Sequence, residues 1–217
     1  MVPVINKNAE AIKERMSYYK FTVKLRVMTT NHLESLLAKD GDTHVVKSVK
    51  KEIEHLRKRE QEIILEVKTI INRDAELQIG YKNIISIVGI GEISAIVLLH
   101  LFIKYPDANK KQLTSLVGLD VKLFESGKSI LKKPKISKEG SKLYRSTLFM
   151  GAITASMHKN SDLKIFFDRL KENGKHTTVA HIAVMRKLVV IAHSLFKTKQ
   201  SYNSEFYKKH CGIKMNS

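Results

Sequence analysis

Two long stretches that are rich in charge and free of Gly and Pro constrain what this chain can fold into. They cover residues 10–37 and 44–72, and the segment AKDGD at 38–42 separates them. Charged, periodic stretches of this length are typical of long helices, and a short polar segment with a glycine is typical of a break between helices. The sequence therefore predicts two long helices joined as a hairpin.

The second stretch carries the repeat of a coiled coil. Its apolar residues follow alternating steps of three and four, and Glu60 falls on the same stripe as a polar interruption. An intramolecular antiparallel pair and a dimer both satisfy this pattern, and a polar residue in such a seam often fixes register or partner. The apolar members of the stripe are Val46, Val49, Ile53, Leu56, Ile63, Val67 and Ile70.

The remainder of the chain has a more apolar, mostly helical texture. We predict a helix from residue 93 that Pro106 stops, a short helix that ends at Gly118, and helices within 141–160, 161–175 and 176–199. Residues 118–145 are predicted to be the longest irregular region. The predicted fold is mainly all-α, with a helical hairpin or coiled-coil connector at 1–78, a compact helical domain at 79–203 and a tail at 204–217.

Charge indicates the kind of partner. The 217 residues include 39 Lys and Arg against 21 Asp and Glu, which gives a formal net charge of +18 at pH 7. An excess of this size favours a polyanionic partner, and its spread over several segments favours nucleic acid over a membrane surface. The alternative is a solvated, lysine-rich surface without a partner.

The single cysteine and the apolar stretches indicate the compartment. Cys211 alone cannot form an internal disulfide framework, so a reducing cytosol is expected. No apolar stretch is expected to approach the roughly twenty residues that span a bilayer, and MVPVINKNAE has no signal-peptide core. We therefore expect a cytoplasmic protein that does not enter a membrane.

Gly89 and Gly91, in IISIVGIGEISA, have two interpretations. A dinucleotide-binding loop is weakly supported, because Ser94 occupies the third glycine position and no alternation of strands and helices follows. The other interpretation is a helix-hairpin-helix, whose glycines expose backbone N–H groups that bind phosphate oxygens. Its alternative is a tight turn between two core helices, and the isoleucines at 84, 87 and 90 belong to the core in either case.

A basic cluster follows Ser126. Seven lysines and arginines lie within residues 128–145, and the last of them fall at the predicted start of a helix, where they would form a cradle for an anionic backbone. A serine attacks phosphorus only if its proton can leave and cations or metal stabilise the developing charge. A serine before a glycine is more often a turn residue, and by chemistry alone Ser129, Ser137 and Ser141 are nearly as eligible as Ser126.

Several linked motifs in order resemble a known family. IISIVGIGEISAIVLL, then LTSLVGLDVKLFESGKSILKKPKISKEGSKLYRSTLFMGAITA, then FFDRLKENGKHTTVAHIAVMRKLVVIAHSLFK, and finally SY are similar to the C-terminal domain of a bacterial insertion-sequence transposase family. This is the group with a DEDD nuclease domain and a reactive serine, related to Piv-type DNA invertases and including bridge-RNA-guided recombinases. The resemblance covers residues 80–202.

The resemblance implies roles for particular residues. It places the reactive serine and its following glycine on Ser126 and Gly127, which would form a covalent serine–DNA intermediate during strand exchange. Matching elements also fall on Ile136, Ser137, Gly140, Arg169, Leu170, Gly174, Ala180 and Leu188. Together with the charge pattern, the predicted nucleic-acid-binding residues are Gly89, Gly91, Lys128, Lys132, Lys133, Lys135, Lys138, Lys142, Arg145, Lys175, Arg186 and Lys187.

The family resemblance also implies binding partners and a nuclease domain that this chain is expected to lack. It implies DNA as substrate, a homo-oligomer held by the coiled coil, and a structured guide (bridge) RNA. The family's four acidic residues bind a divalent metal such as Mg²⁺ in a nuclease half that we expect to be absent here, so no cofactor is expected within this chain. The predicted function is the DNA-binding part of a transposase or site-specific recombinase that is inactive in strand exchange alone; the alternative is a non-catalytic nucleic-acid-binding protein.

Overall fold

The computed structural model describes residues 3–4, 6–126, 130–159 and 161–205, with the backbone alone for 123–126 and 130–134. The chain divides into two compact units. The first unit is Ile5–Ala75, and the second combines Met1–Val4 with Glu76–Ser217. The predicted domain limits at 78 and 203 remain predictions, and most of the predicted tail, with Cys211, lies outside the described residues.

The first unit contains the two predicted long helices. Helix α1 spans Lys7–Leu37 and helix α2 spans Thr43–Asn72, and they pack along each other. The side chains of Asn6 and Asp42 cap the two helices, since each accepts hydrogen bonds from backbone N–H groups of the first turn. Such caps satisfy donors that have no partner inside the helix, which explains why the helices begin at these residues.

The polar interruption of the α2 stripe is satisfied by α1. Arg26 Nε donates to Glu60 Oε1 at 2.6 Å, and the two side chains are only 26% and 13% exposed. Of the two pairings that the sequence allows, this contact supports the antiparallel pair within one chain. An ion pair that is largely withdrawn from water fixes the register of the two helices, because either partner alone would leave a partly buried charge unpaired.

Burial along α2 follows the predicted stripe over its middle and departs from it at both ends. Ile53, Leu56, Ile63 and Val67 are buried as predicted. Near the C-terminus the buried residues are Ile64 and Ile71, whereas Ile70, Val46 and Val49 are only partly buried. A straight helix drifts by about 20° per heptad relative to a strict coiled-coil repeat. Over the more than three heptads between Val46 and Ile70 the drift accumulates, which explains why Ile71 is buried in place of Ile70.

The second unit is a helical bundle around one central helix, α4. All residues from 94 to 103 of α4 are buried, and α6 and α8 pack against it and against each other. α4 ends two residues before Pro106, as the sequence predicts. The prediction of a mainly α-helical fold is confirmed. The helices are α3 (Ala75–Ile85), α4 (Glu92–Lys104), α5 (Lys110–Leu116), α6 (Lys142–Met157), α7 (Asp162–Glu172) and α8 (Thr177–Thr198).

The predicted irregular region contains an antiparallel β-hairpin, so that expectation is wrong there. Strand β1 is Val121–Ser126 and strand β2 is Ile130–Ile136, with Val121 opposite Ile136. The high density of lysines and Pro134 disfavours a strand in sequence reasoning. In a sheet of two strands, however, both strands are edges, and edge strands accept lysine and proline readily.

The turn between α3 and α4 packs closely against α6. α3 ends at Ile85, four residues before Gly89. The predicted core isoleucines at 84, 87 and 90 are buried. Gly89 has φ of 92°, and a Cβ atom there would lie 2.5 Å from the carbonyl oxygen of Gly151 and 2.7 Å from Cβ of Ala155. This glycine therefore allows a close backbone contact with α6.

Helix α8 is a long apolar helix of 22 residues. By length and composition it is, among the described residues, the one helix that could cross a membrane, so the expectation that no stretch approaches that length is wrong. α8 packs against α4, α5, α6 and α7. One face of the helix is buried, including Ala180, Val184, Leu188 and Ala192. This packing buries part of its apolar surface.

We expect Gly89→Ala to destabilise the second unit by about 3 kcal/mol, because a side chain at positive φ is strained and its Cβ would overlap the backbone of α6. Gly91→Ala is the matched control: Gly91 has φ of −91°, and a Cβ there has nothing within 4 Å. That change should cost less than about 1 kcal/mol. Urea denaturation of both variants measures the difference, and equal losses would contradict the assigned packing role.

Candidate nucleic-acid interface

The β-hairpin is closed at its base by two glycines whose backbones are in contact. A Cβ atom on Gly118 would lie 2.7 Å from the amide nitrogen of Gly140, and one on Gly140 would overlap the carbonyl oxygen of Leu116. Gly118 also has φ of 72°, which favours glycine. Lys138 N donates to Gly118 O at 3.1 Å, and this bond continues the pairing of the two chain segments beyond the strands.

Two arginines fix this base to the helices. Arg145, on α6, donates from Nη1 to the carbonyl oxygen of Val117 at 3.2 Å and to that of Gly140. Arg186, on α8, donates from Nε to the carbonyl oxygen of Leu119 at 2.7 Å. A guanidinium carries five N–H donors in a planar fork, so one side chain can hold a backbone and still present charge to a ligand.

The environment of Arg186 changes its acidity in two opposing ways. Burial lowers the pKa of Arg186, because the charged form loses solvation, while the nearby Asp120 carboxylate raises it. Asp120 is itself hydrogen-bonded to the hydroxyl of Ser137. Asp120 and Ser137 therefore form a partly buried polar pair at the hairpin base, and the Arg186 guanidinium lies near it.

Two of the serines that compete with Ser126 have local structural partners. Ser137 Oγ bonds the Asp120 carboxylate, as described, and Ser137 N donates to Asp120 O at 2.9 Å. Ser141 is the N-cap of α6, and its hydroxyl accepts from Leu143 N at 3.2 Å. Ser129 lies outside the described residues. The partners of Ser137 and Ser141 support roles in closing the hairpin and starting α6.

A groove of about 820 Å³ lies between the hairpin base, α6 and α8, and we name it the basic groove. It gathers five of the predicted nucleic-acid-binding cations. They are Lys135 from β2, Lys138 from the segment after β2, Lys142 and Arg145 from α6, and Arg186 from α8. Residues that lie up to about 50 positions apart in sequence thus share one surface.

The lining of the basic groove also includes apolar residues, which we call its floor. Val121 and Val179 contribute to it and are each 52% exposed, so apolar surface is open to solvent here. Ser146 and Thr178 add two hydroxyl groups to the lining. The apolar lining residues are Val121, Ile136, Phe149, Val179, Ile182 and Met185.

An aromatic cluster supports the floor. The rings of Phe149 and His181 meet edge to face with centroids 5.8 Å apart, and His181 stacks on Phe167 at 4.7 Å. His181 Nε2 lies 3.1 Å from Ser156 Oγ. Burial, and secondarily the charge of Lys171, lowers the pKa of His181, so the ring is neutral near pH 7. The cluster holds Phe149 between α6 and α8.

Other predicted contact residues lie outside the lining of the basic groove. Lys187 Nζ is 5.2 Å from the ring centroid of Phe166, a cation–π arrangement. Lys175 is exposed in the segment between α7 and α8. Gly89 packs on α6, and Gly91 is the N-cap of α4, with Glu92 in the first turn. Phosphate contact by these four residues stays a prediction.

Ser126 is the last residue of β1, and its backbone pairs with Ile130. At about 3.3 Å per residue, it lies on the order of 16 Å along the strand from Val121, where the hairpin borders the basic groove. Its side chain and those of Lys132 and Lys133 are not among the described side chains, and Gly127 and Lys128 lie outside the described residues. A cationic surface therefore lies at the base of the hairpin that carries the predicted nucleophile.

Within the part of the chain that the structure describes, no cluster of three or more His, Cys, Asp or Glu residues could hold a metal ion. The donor set near the basic groove is cationic and hydroxylic, which suits an anionic ligand.

Comparisons with known proteins identify the family that part of this chain resembles. Residues 81–168 match the model of the transposase IS116/IS110/IS902 family. The match includes the hairpin and α6, and thus four of the five groove cations. Two pilin gene-inverting proteins, from Moraxella lacunata and Moraxella bovis, are each 30% identical to this chain over 143 residues. The matched part is 64% of this chain and 44% of each relative.

The chain therefore matches a transposase domain of the IS116/IS110/IS902 family over residues 81–168, as the ordered motifs predict. It is also related to gene-inverting proteins, and it spans less than half the length of the two that it matches.

Sequence reasoning found the groove cations but not the floor or the anchoring bonds. Val179, Ile182 and Met185 follow helical spacing and therefore resemble core residues of α8. Phe149 gives no signal beyond an apolar helix position. The positive φ at Gly118 and the close backbone contact at Gly140 have no sequence signal other than the two glycines.

Proposed function

We propose that the second unit is the DNA-binding and serine-bearing part of an insertion-sequence transposase or site-specific recombinase. The observation that carries this proposal is the convergence of five predicted cations on one groove, four of them inside the matched transposase domain. Four of these cations lie within residues 135–145, and tertiary structure adds Arg186 from α8 to the same groove.

The groove has the features of a phosphate-binding surface. Lysines act as mobile point charges, and arginines offer planar forks that match phosphate oxygens. Arg145 and Arg186 are held by backbone carbonyl groups, which reduces the side-chain entropy that each loses when it binds a strand. Contacts to phosphates position a strand without reading its sequence. We therefore expect the groove to hold DNA in register for the hairpin.

We propose Ser126 as the nucleophile for strand exchange. Its Oγ would attack phosphorus, forming a serine–phosphate ester while the bond from phosphorus to the leaving strand's oxygen breaks. The serine proton must pass to a base, and the leaving oxygen must take a proton. In the family that the sequence resembles, a DEDD half with a divalent metal such as Mg²⁺ supplies charge stabilisation. We propose that this chain needs such a half to recombine DNA.

The first unit is proposed as an arm for assembly. Tyr18, Phe21 and Met28 on α1 are 45%, 54% and 57% exposed, and their spacing of three and seven places them on one helix face. This apolar face supports a homo-oligomer. A structured guide RNA is a second proposed partner, which rests on the family resemblance and the positive charge. A DNA-acting protein of this kind would work in the bacterial cytoplasm at the nucleoid.

A rival function is a non-catalytic nucleic-acid-binding protein. The same groove would contact the nucleic-acid backbone, and Ser126 would be only a residue at the end of a strand. The exposed charges and the groove support both functions equally, so only the chemistry of Ser126 separates them.

We expect duplex DNA affinity to fall steeply with salt, and Lys142→Ala to remove one phosphate contact. Loss of that contact should reduce the slope of log K against log salt by about 0.9 and the affinity about eightfold at 0.1 M salt. Fluorescence anisotropy with labelled DNA measures both. Lys159→Ala, an exposed lysine after α6 that does not line the groove, is the control. Affinity that ignores salt, or equal losses in the two variants, would contradict groove binding.

Supplying a DEDD half from a related transposase, Mg²⁺ and labelled DNA should produce a covalent protein–DNA adduct that survives denaturing electrophoresis. Ser126→Ala should abolish the adduct and keep DNA affinity, whereas Ser115→Ala, an exposed serine on α5, should keep both. An adduct that persists in Ser126→Ala would exclude Ser126 as the nucleophile. Binding without any adduct in the wild type would favour the rival function.

A further inference from the structure

We propose that the apolar floor of the basic groove holds an unpaired base, so that the groove prefers single-stranded or bulged nucleic acid to a continuous duplex. This inference rests on the proposed nucleic-acid binding and specifies the form of the strand that the site takes. It is carried by the juxtaposition of a cationic rim and an exposed apolar floor in one groove.

The size of the groove suits a nucleotide. Its volume of about 820 Å³ lies within the range of about 300–1,000 Å³ of pockets that take small organic groups. The cations and the apolar residues line the same groove. A base on the floor would therefore place its flanking phosphates within the cationic rim.

The outside of a continuous duplex offers no apolar group that could cover the floor. The backbone of continuous DNA presents charged phosphates and sugars, which gain nothing from covering valine and isoleucine side chains. An unpaired base offers a large apolar face, and such bases commonly stack on aromatic side chains in proteins that bind single strands. Covering Val121 and Val179, which are both half-exposed, would withdraw apolar surface from water.

Phe149 is built as a stacking platform. Phe149 lines the groove, and its ring meets that of His181 edge to face with centroids 5.8 Å apart, while His181 is stacked on Phe167 at 4.7 Å. A ring held in this way loses little freedom when a base packs on it.

Charge argues for a nucleic acid rather than a protein on the floor. An apolar protein segment could cover Val179 and Ile182, but it would bring uncharged groups between five cations and desolvate them without compensation. A strand with an unpaired base satisfies the floor with its base and the rim with its phosphates.

Binding of three fluorescein-labelled DNA probes tests the proposal: a duplex, the same duplex with one extra thymine, and the corresponding single strand. The full-length chain should bind the bulged and single-stranded probes about tenfold more tightly than the duplex, since stacking of one base supplies that factor. Phe149→Ala and Val179→Asn should remove most of this preference, so that in each variant the ratio of bulged-probe to duplex affinity falls toward one. Val179 is exposed, so its variant tests the floor without disturbing the core.

Met157→Ala is the matched control, because Met157 is 73% exposed on the same helix as Phe149 and does not line the groove; it should keep the preference. Salt-dependent binding with equal affinity for all probes overturns the inference and leaves the proposed function standing. If the wild-type chain binds none of the three probes, both this inference and the proposed function are overturned. Displacement of the single strand by free dTMP at equal concentration, or a change of oligomeric state in Val179→Asn, would assign the floor to a mononucleotide or a protein instead.

Discussion

The close contact between the backbones at Gly118 and Gly140 sets the position of the whole β-hairpin. The two chain segments can approach only because neither residue has a side chain, and Arg145 holds the junction by donating to Val117 O and Gly140 O. Arg186 adds a bond from α8 to Leu119 O. The hairpin, α6 and α8 are thus tied at one point, and the groove between them exists because of it.

This arrangement gives two arginines a double role. Arg145 and Arg186 hold the hairpin and also line the groove, so the fold and the charge of the site depend on the same side chains. Cations fixed by structure need little reorganisation when an anionic strand arrives. Ser126 lies farther along β1, so in the proposed function the base of the hairpin binds the strand and the far part of the hairpin carries the reacting serine.

Much of this architecture could be predicted because the signals are local. Helical periodicity, Pro106 and the Gly-containing break at 38–42 identify the helices, and ordered motifs identify the transposase domain. The hairpin was missed because lysines and Pro134 conceal strand alternation. The groove floor and the bond from Arg186 to Leu119 could not be predicted, since they join residues about 60 positions apart through tertiary packing that no local pattern encodes.

Lysine footprinting tests the central claim, that the basic groove is the nucleic-acid interface. The full-length chain is acetylated with and without excess DNA, and modification at each lysine is measured by mass spectrometry. We predict that DNA protects Lys135, Lys138 and Lys142, whereas Lys159 reacts equally in both samples. Uniform protection of all lysines, or protection that spares the three groove lysines, would contradict the account.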